Sequence, residues 1–329
     1  MTTIFSSGAA RLTPLLASAV FFAAAPVQAQ NVGIGSDTAV AVEEVEQAPA
    51  IPEVDPGAVP EGSVGGMGDI NLYPKRVVID RRQRIATVGI YNKTANPGEY
   101  EISIEDMVMT PEGNVFQLSN LPPGVSTERL SAAGEMLRWS PRRVALLANE
   151  AQTVRIMARP PADLPDGEYR SHFMAVSVPT DVDEGFSIED AVGDGSEGGE
   201  RIGVTIRPRF GISIPVILRI GETTLDVGMQ DIALVQTQDG PAVMVVITRS
   251  GTRSAYGDMI VSAPGSSVPV AIARGVGVYP EVDSRRVVMA INPEYDLTQL
   301  RSGMVLSVSY IDDDYEPGVT LASQDFVVP

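Results

Sequence analysis

Short runs in which apolar and polar side chains alternate strictly constrain this chain more than any other feature of it. Tyr100-Glu-Ile-Ser-Ile-Glu105 puts Tyr100, Ile102 and Ile104 on one side, and Met304-Val-Leu-Ser-Val-Ser-Tyr310 does the same for Met304, Leu306, Val308 and Tyr310. A period of two is the geometry of a β-strand with one face in a core and the other in water. Similar runs cover 75–80, 84–92, 153–158, 169–178, 201–214, 242–248, 258–262, 285–291 and 324–328. Turn-forming clusters lie among them: Asn96-Pro97-Gly98, Pro111-Glu112-Gly113, Asp239-Gly240 and Glu316-Pro317-Gly318. Many short strands separated by such turns predict an all-β chain built of antiparallel sandwiches.

One stretch reads two ways. Arg142 to Met157 is rich in Ala, Leu, Arg and Glu, which favours helix on propensity. The alternation of Val154 and Ile156 favours two strands joined by a turn near Asn149-Glu150. Further on, a long apolar strand ends at Pro215 and a second set of strands begins at Val216. The folded part is therefore expected to divide into domains 69–215 and 216–329, each of ordinary size.

The first residues carry a different message. Arg11 precedes an apolar run from Pro14 to Pro26, and Val27-Gln28-Ala29 ends it with small residues at the positions that precede a cleavage site. The run is shorter than the roughly 20 residues a membrane-spanning helix needs, so 1–29 reads as a secretory signal peptide cleaved after Ala29. The mature protein is expected to be exported, with no membrane insertion after cleavage. Residues 30–68, rich in Pro, Gly, Ala and acids without periodicity, read as a disordered leader.

The formal net charge is −18, but its location matters more than its size. Seven acids and no base fall in 30–68, and eight acids and no base in 181–200, so fifteen of the eighteen surplus charges sit in two linker-like segments. The remainder is close to neutral, and no basic field exists to hold nucleic acid. Of the 24 basic residues only Lys75 and Lys93 are lysine; the others are arginine.

The same inventory argues against common catalytic chemistry. There is no Cys and a single His172, so thiol nucleophiles and the usual zinc clusters are absent and any serine triad rests on one imidazole. No Gly-x-Ser-x-Gly elbow or phosphate-binding loop occurs. No enzyme, cofactor or metal is expected. Asp312-Asp313-Asp314 and Asp181/Asp183 lack the spacing of a calcium loop and read as solvated turns. Trp139 reads as core, and His172 as a structural or surface residue of a strand.

Pro74-Lys-Arg-Val-Val-Ile79, Val88-Gly-Ile-Tyr-Asn92, Ser140-Pro-Arg-Arg, Gln152-Thr-Val-Arg155, Leu164-Pro-Asp-Gly-Glu-Tyr-Arg170 with Phe173, and Pro179 follow one another along the chain. Taken in that order, these segments resemble the N-terminal domain of the PapD-like periplasmic pilus chaperones. Arg249-Ser-Gly-Thr-Arg-Ser-Ala-Tyr-Gly257 and Gly275-Val-Gly-Val-Tyr279 are similar to segments of the family's C-terminal domain. The resemblance implies two immunoglobulin-like β-sandwich domains in tandem and a periplasmic location. It also implies a role in fimbrium biogenesis: binding pilin-like secreted subunits by donating a β-strand, then delivering them to an outer-membrane usher. The alternative is an exported immunoglobulin-like adhesion or scaffold protein with no assembly role.

The resemblance also assigns residues. Ile202, Val204 and Ile206 correspond to the donor strand, whose alternate side chains fill a subunit's open groove while its backbone pairs with the subunit's sheet. Arg76 corresponds to the cleft arginine that binds the subunit's terminal carboxylate, a task suited to a planar guanidinium fork. The family's second anchor is a lysine on the last strand. Here that strand has none; Arg207 and Arg209 have the required facing, and Arg209 is preferred as lying nearer the domain junction. Glu168 matches an acid that ties the domains together. The base the family places before its junction proline is Ile214 in this chain, which leaves Glu168 to pair elsewhere or face solvent. The acid run 181–200 beside the donor strand is expected to discourage self-pairing of that strand.

Overall fold

The computed structural model describes residues 63–65, 70–179, 186–187, 205–206 and 209–329. The expected signal peptide and nearly all of the leader and the acidic loop lie outside these residues. The strands, in chain order, are β1 (Val64–Gly65), β2 (Ile70–Tyr73), β3 (Val77–Ile79), β4 (Ile85–Asn92), β5 (Gly98–Glu105), β6 (Met107–Met109) and β7 (Val115–Gln117). Next come β8 (Leu137–Ser140), β9 (Arg143–Leu146), β10 (Ala151–Ala158), β11 (Gly167–Ser177), β12 (Phe186–Ser187), β13 (Thr205–Ile206) and β14 (Gly211–Ile220). The last group is β15 (Leu225–Thr237), β16 (Gly240–Gly251), β17 (Ala255–Ser262), β18 (Ala271–Val278), β19 (Ser284–Ala290), β20 (Val305–Asp312) and β21 (Thr320–Val327).

Two five-stranded sheets, β1-β2-β4-β10-β8 and β3-β14-β11-β5-β9, form the first sandwich. A three-stranded sheet β15-β16-β19 and a four-stranded sheet β18-β17-β20-β21 form the second. Each sandwich encloses its own hydrophobic core. Leu72, Ile90, Ile156, Phe173 and Val216 are fully buried in the first, and Val245, Met259, Leu306, Val308 and Tyr310 in the second. The all-β architecture of two sandwiches is the one the alternating pattern predicts.

The individual strands show why. In β5 the side chains of Tyr100, Ile102 and Ile104 are buried while Glu101 is exposed. In β20, Leu306, Val308 and Tyr310 share the buried face, and Met304 stands half-buried just before the strand. The ambiguous segment 142–157 is two strands, β9 and β10, joined through Asn149, which adopts a left-handed backbone with φ 56°. Tertiary packing overrides helix propensity there: Val144, Leu146, Val154 and Ile156 each meet the core at strand spacing.

The division expected at Pro215 falls inside a strand. β14 runs through Pro215 and pairs with β11 from Gly211↔Val176 to Ile220↔Gly167. The change of core therefore comes after Ile220. All described residues belong to one compact unit, Gln47–Pro329, and the hairpin β6–β7 helps make it so. It leaves the first sandwich, places Met109 in the second core, and accepts a backbone bond from Arg286 N–H at Pro111 O (2.7 Å).

Gly257 marks the tightest approach in the second sandwich. It pairs with Asp312 across β17 and β20, and a Cβ there would overlap the backbone carbonyl of Ile311. Because the obstacle is backbone, it cannot yield by a rotamer change. Gly257→Ala is expected to destabilise the protein by about 2 kcal/mol, read as a lower urea midpoint; an unchanged midpoint would contradict the packing described.

Candidate functional site

Arg76 immediately precedes β3, the short strand that runs parallel to β14 through Val77↔Val216. Its side chain is only 5% exposed. One terminal nitrogen, Nη2, donates to Asp314 Oδ2 (2.9 Å) and to Ser254 Oγ (2.8 Å), and the guanidinium lies over the ring of Tyr256, 4.5 Å from its centroid. Its Nε and Nη1 have no hydrogen-bond partner among the described residues. The neighbouring Lys75 is partly exposed and ion-paired to Asp313.

The acids come from the turn between β20 and β21. Asp312 is buried and accepts the backbone N–H groups of Asp314 (2.8 Å), Tyr315 (3.2 Å) and Glu316 (3.0 Å). An Asp side chain that bonds its own following backbone in this way holds a tight turn, and this one presents Asp313 and Asp314 to the first sandwich. The triplet expected to be a solvated turn is a turn, but Asp314 is 8% exposed and ion-paired. Excess charge on the first sandwich draws it in.

Glu168 is buried at 4% exposure. Its partner is Arg219, directly opposite across β11 and β14, whose Nη2 lies 3.2 Å from Glu168 Oε2 and 2.6 Å from Asp314 Oδ2. Burial opposes the charge on Arg219, but Asp314 and then Glu168 outweigh it and raise its pKa above the ordinary arginine value. A tie between the sandwiches therefore runs Glu168–Arg219–Asp314–Arg76. The residue missing from it is the one the resemblance placed at 214: Ile214 faces the first core at 1% exposure. Strand alternation explains the difference, since even positions of β14 point inward and odd positions outward. Arg219, the one basic residue of β14, has the outward parity and meets Asp314 of the second sandwich.

A second tie lies at the β18–β19 turn. Arg170, 2% exposed at its side chain, is ion-paired to Glu281 and donates to Met107 O (3.0 Å), with Tyr279 stacked 3.8 Å from its guanidinium carbon. Glu281 also accepts Met109 N–H (3.0 Å), and Arg129 grips Asp283 through two 2.8 Å bonds. His172 is buried, not at the surface, with both ring nitrogens within 3.3 Å of Arg170 Nη1. Burial, then the Arg170 charge, pushes its pKa well below the ordinary histidine value. Trp139 is partly buried against the first core and donates to Ile102 O (3.0 Å).

The remaining expected site residues lie elsewhere. Arg209 is exposed, bonded to Glu101 (2.9 Å) and Ser177 O (3.1 Å) at the start of β14. Arg219, which shares Asp314 with Arg76, sits near the other end, so at ~3.3 Å per residue Arg209 is roughly 30 Å away from that cluster. The structure does not bring Arg76 and Arg209 together, because β14 runs on past the expected end at Pro215 to Ile220, and the Arg76 cluster lies at that far end. Ile202, Val204 and Arg207 lie outside the described residues. Ile206 belongs to β13, whose backbone pairs with β12 through Phe186↔Ile206. Phe210, not singled out beforehand, has the same parity as Ile202, Val204 and Ile206 and is 47% exposed.

Among the described residues the margin of the sheet beside Phe210 is uncovered. β14 has β11 on one side along its whole length, whereas β3 covers the other side only at Val216–Leu218. Gly211–Pro215 thus have one neighbouring strand among the described residues. Ser177 N–H bonds Phe210 O (2.8 Å), so by antiparallel alternation the even residues of β14 are those bonded to β11 and the odd ones turn their polar groups to the open margin. Pro215 is odd, and a strand proline belongs on such a margin, where no ladder bond is lost.

Among the described residues no helix is long and apolar enough to cross a membrane, and no group of three His, Cys, Asp or Glu could hold a metal. No family model and no curated protein matches the chain. Solved structures to which it is similar include the YadV chaperone, at 14% identity and a TM-score of 0.39, covering 79% of this chain and 100% of that one. The Pseudomonas aeruginosa CupB2 chaperone is similar at 14% identity and a TM-score of 0.37, covering 77% of this chain and 97% of that one. A chain from the Salmonella enterica SafA pilin in complex with the SafB chaperone is similar at 14% identity and 0.37, covering 80% and 99%.

Arg219→Met leaves Glu168 buried without a counter-ion, which is expected to cost about 3–5 kcal/mol of stability. Adding Glu168→Gln should recover part of that loss, measured by urea midpoints; equal midpoints for wild type and R219M would remove the tie. His172 gives a pH signature. Its folded pKa lies below the unfolded value of about 6.5, so its contribution is complete above that pH and is lost as pH falls toward the folded value. Stability should decline below pH ~6.5 more steeply in wild type than in His172→Asn.

Proposed function

We propose that this protein is a periplasmic assembly chaperone. In this reading it holds exported pilin-like subunits by adding its own strand to their unfinished sheet and delivers them to an outer-membrane usher. The observation that carries this is the open margin along Gly211–Pro215, continuous with the residues whose even positions match the family's donor row. Within β14, Ile212, Ile214 and Val216 fill the chain's own core. Beyond Gly211 the same face runs off the sandwich, and Phe210 stands half exposed there. Ile202, Val204 and Ile206 continue that parity in sequence.

Backbone pairing along the margin is generic, and alternate side chains give it preference for an apolar slot. At ~2 kcal/mol for each apolar side chain buried, the row supplies enough to offset association costs once the ladder is added. A strand lying parallel beside Gly211–Pro215 must stop where β3 takes over the margin at Val216. Lys75 and Arg76 stand just ahead of β3, so a carboxylate at the end of the incoming strand comes to two cations already paired with Asp313 and Asp314, and two further nitrogens of Arg76 are buried and unbonded among the described residues.

Co-expression with a small β-rich exported subunit, encoded beside a large outer-membrane barrel, tests this by co-purification from the periplasm. Wild type is expected to capture the subunit. Phe210→Asp and Val204→Asp should each lose it while keeping the wild-type unfolding midpoint. Capture that survives both substitutions would leave an adhesion or scaffold protein as the better reading.

A further inference from the structure

The outer face of the sheet β1-β2-β4-β10-β8 carries a group of arginines that the interface between the sandwiches does not use. Val154, Ile156 and Ala158 of β10 point into the first core, so Arg155, Met157 and, just past the strand, Arg159 have the outward parity. In β8, Leu137 is buried and Arg138 turns outward, directly opposite Met157. Arg155 and Arg159 are then its diagonal neighbours, and the three arginines surround one half-buried methionine. All three are exposed. Arg129, Arg143 and Arg209 each have a carboxylate, but among the described residues Arg138, Arg155 and Arg159 have none. Glu135, the acid beside them in sequence, offers Arg138 only its backbone oxygen (2.8 Å), and Leu137 O accepts a second bond (2.7 Å).

A matching supply of negative charge enters the same sheet. β1, at its margin, lies within the acid-rich stretch 30–68, and Gly65 stands level with Asn71, Tyr91 and Ala151 on the strands beside it. From Gly65 to Arg138 is four strand spacings across and six residues along, roughly 30 Å at ~4.8 Å per strand and ~3.4 Å per residue. Glu61, three residues ahead of β1, reaches only about 10 Å; Glu43, Glu44 and Glu46, 18 or more residues ahead, have about 60 Å of chain to use. The other acid run, 181–200, joins β11 to β14 in the opposite sheet. We propose that the outer face of β10 and β8 is a binding surface for an acidic peptide, occupied in cis by Glu43, Glu44 and Glu46 of this chain. Each exposed ion pair is weak and screened by salt. Tethering places the acids at about millimolar effective concentration, so a group of three holds at low ionic strength and yields as it rises.

The chain has no cysteine, so Ala48→Cys gives a single attachment point for a nitroxide spin label on the intact exported protein. Amide signals of 153–159 and of β8 are expected to broaden at about 0.01 M salt, where charges act over ~30 Å, and to recover at about 1 M, where they act over ~3 Å. Changing Glu43, Glu44 and Glu46 together to Gln should abolish the broadening. So should Arg138→Gln, Arg155→Gln and Arg159→Gln combined, with the urea midpoint kept because all three side chains are exposed. No broadening at low salt overturns the proposal, as does broadening that survives either set of substitutions. Equal broadening when label and isotope sit on different chains assigns the contact to a second copy. Arginine-dependent sedimentation with phosphatidylglycerol vesicles, in the absence of broadening, assigns the face to a lipid surface. Either result removes the contact in cis.

Discussion

The carboxylate of Asp314 holds this structure in register. One oxygen accepts from two guanidiniums, Arg76 and Arg219, and Arg219 in turn neutralises the buried Glu168. Arg76 and Arg219, on neighbouring strands of the first sandwich, would repel; with Asp314 and Glu168 beside them the four charges balance. Such a cluster contributes little net stability relative to a well-packed apolar one, yet removing any single member strands a buried charge. It therefore selects one relative placement of the two sandwiches rather than merely favouring contact. The Arg170–Glu281 pair at the β18–β19 turn imposes the same kind of condition at a second place.

Two separated constraints of this type fix where the margin of β14 lies relative to the charged cluster. Among the described residues the uncovered margin of β14 runs from Gly211 to Pro215 and ends at Val216, where β3 covers it, and the charged cluster lies just past that end. The uncovered backbone and the cations follow one another along the strand. Both are placed by the same ten-residue element, β14, whose even residues serve the core and whose odd residues serve the margin and the interface.

Much of the fold was legible because burial follows strand parity. β5, β10 and β20 bury the alternating residues their sequences propose. β15, the longest strand, was not legible, for a definite reason. A bulge between Gln230 and Ala233, with Asp231 at φ 52°, shifts its parity in mid-strand. Leu225, Val227 and Met229 face the core before it, and Ile232 and Leu234 after it, so no single alternation runs through. The charged cluster was legible only in part. Arg76 and Glu168 were found through resemblance, but Arg219 lies 95 residues from Asp314 and Arg76 lies 238 away. Pairing over such distances leaves no local pattern. The one available hint was compositional: almost all the basic residues are arginine, the side chain suited to buried, shared and stacked ion pairs.

The β6–β7 hairpin sets a limit on how this architecture can be rearranged. It belongs to the first sandwich in sequence, yet Met109 occupies a place in the core of the second. Neither half is self-sufficient at that point, since one carries a plug and the other a socket. Exchange of whole domains between related chains, a common route to new specificities, would then require the hairpin and its receiving site to travel together.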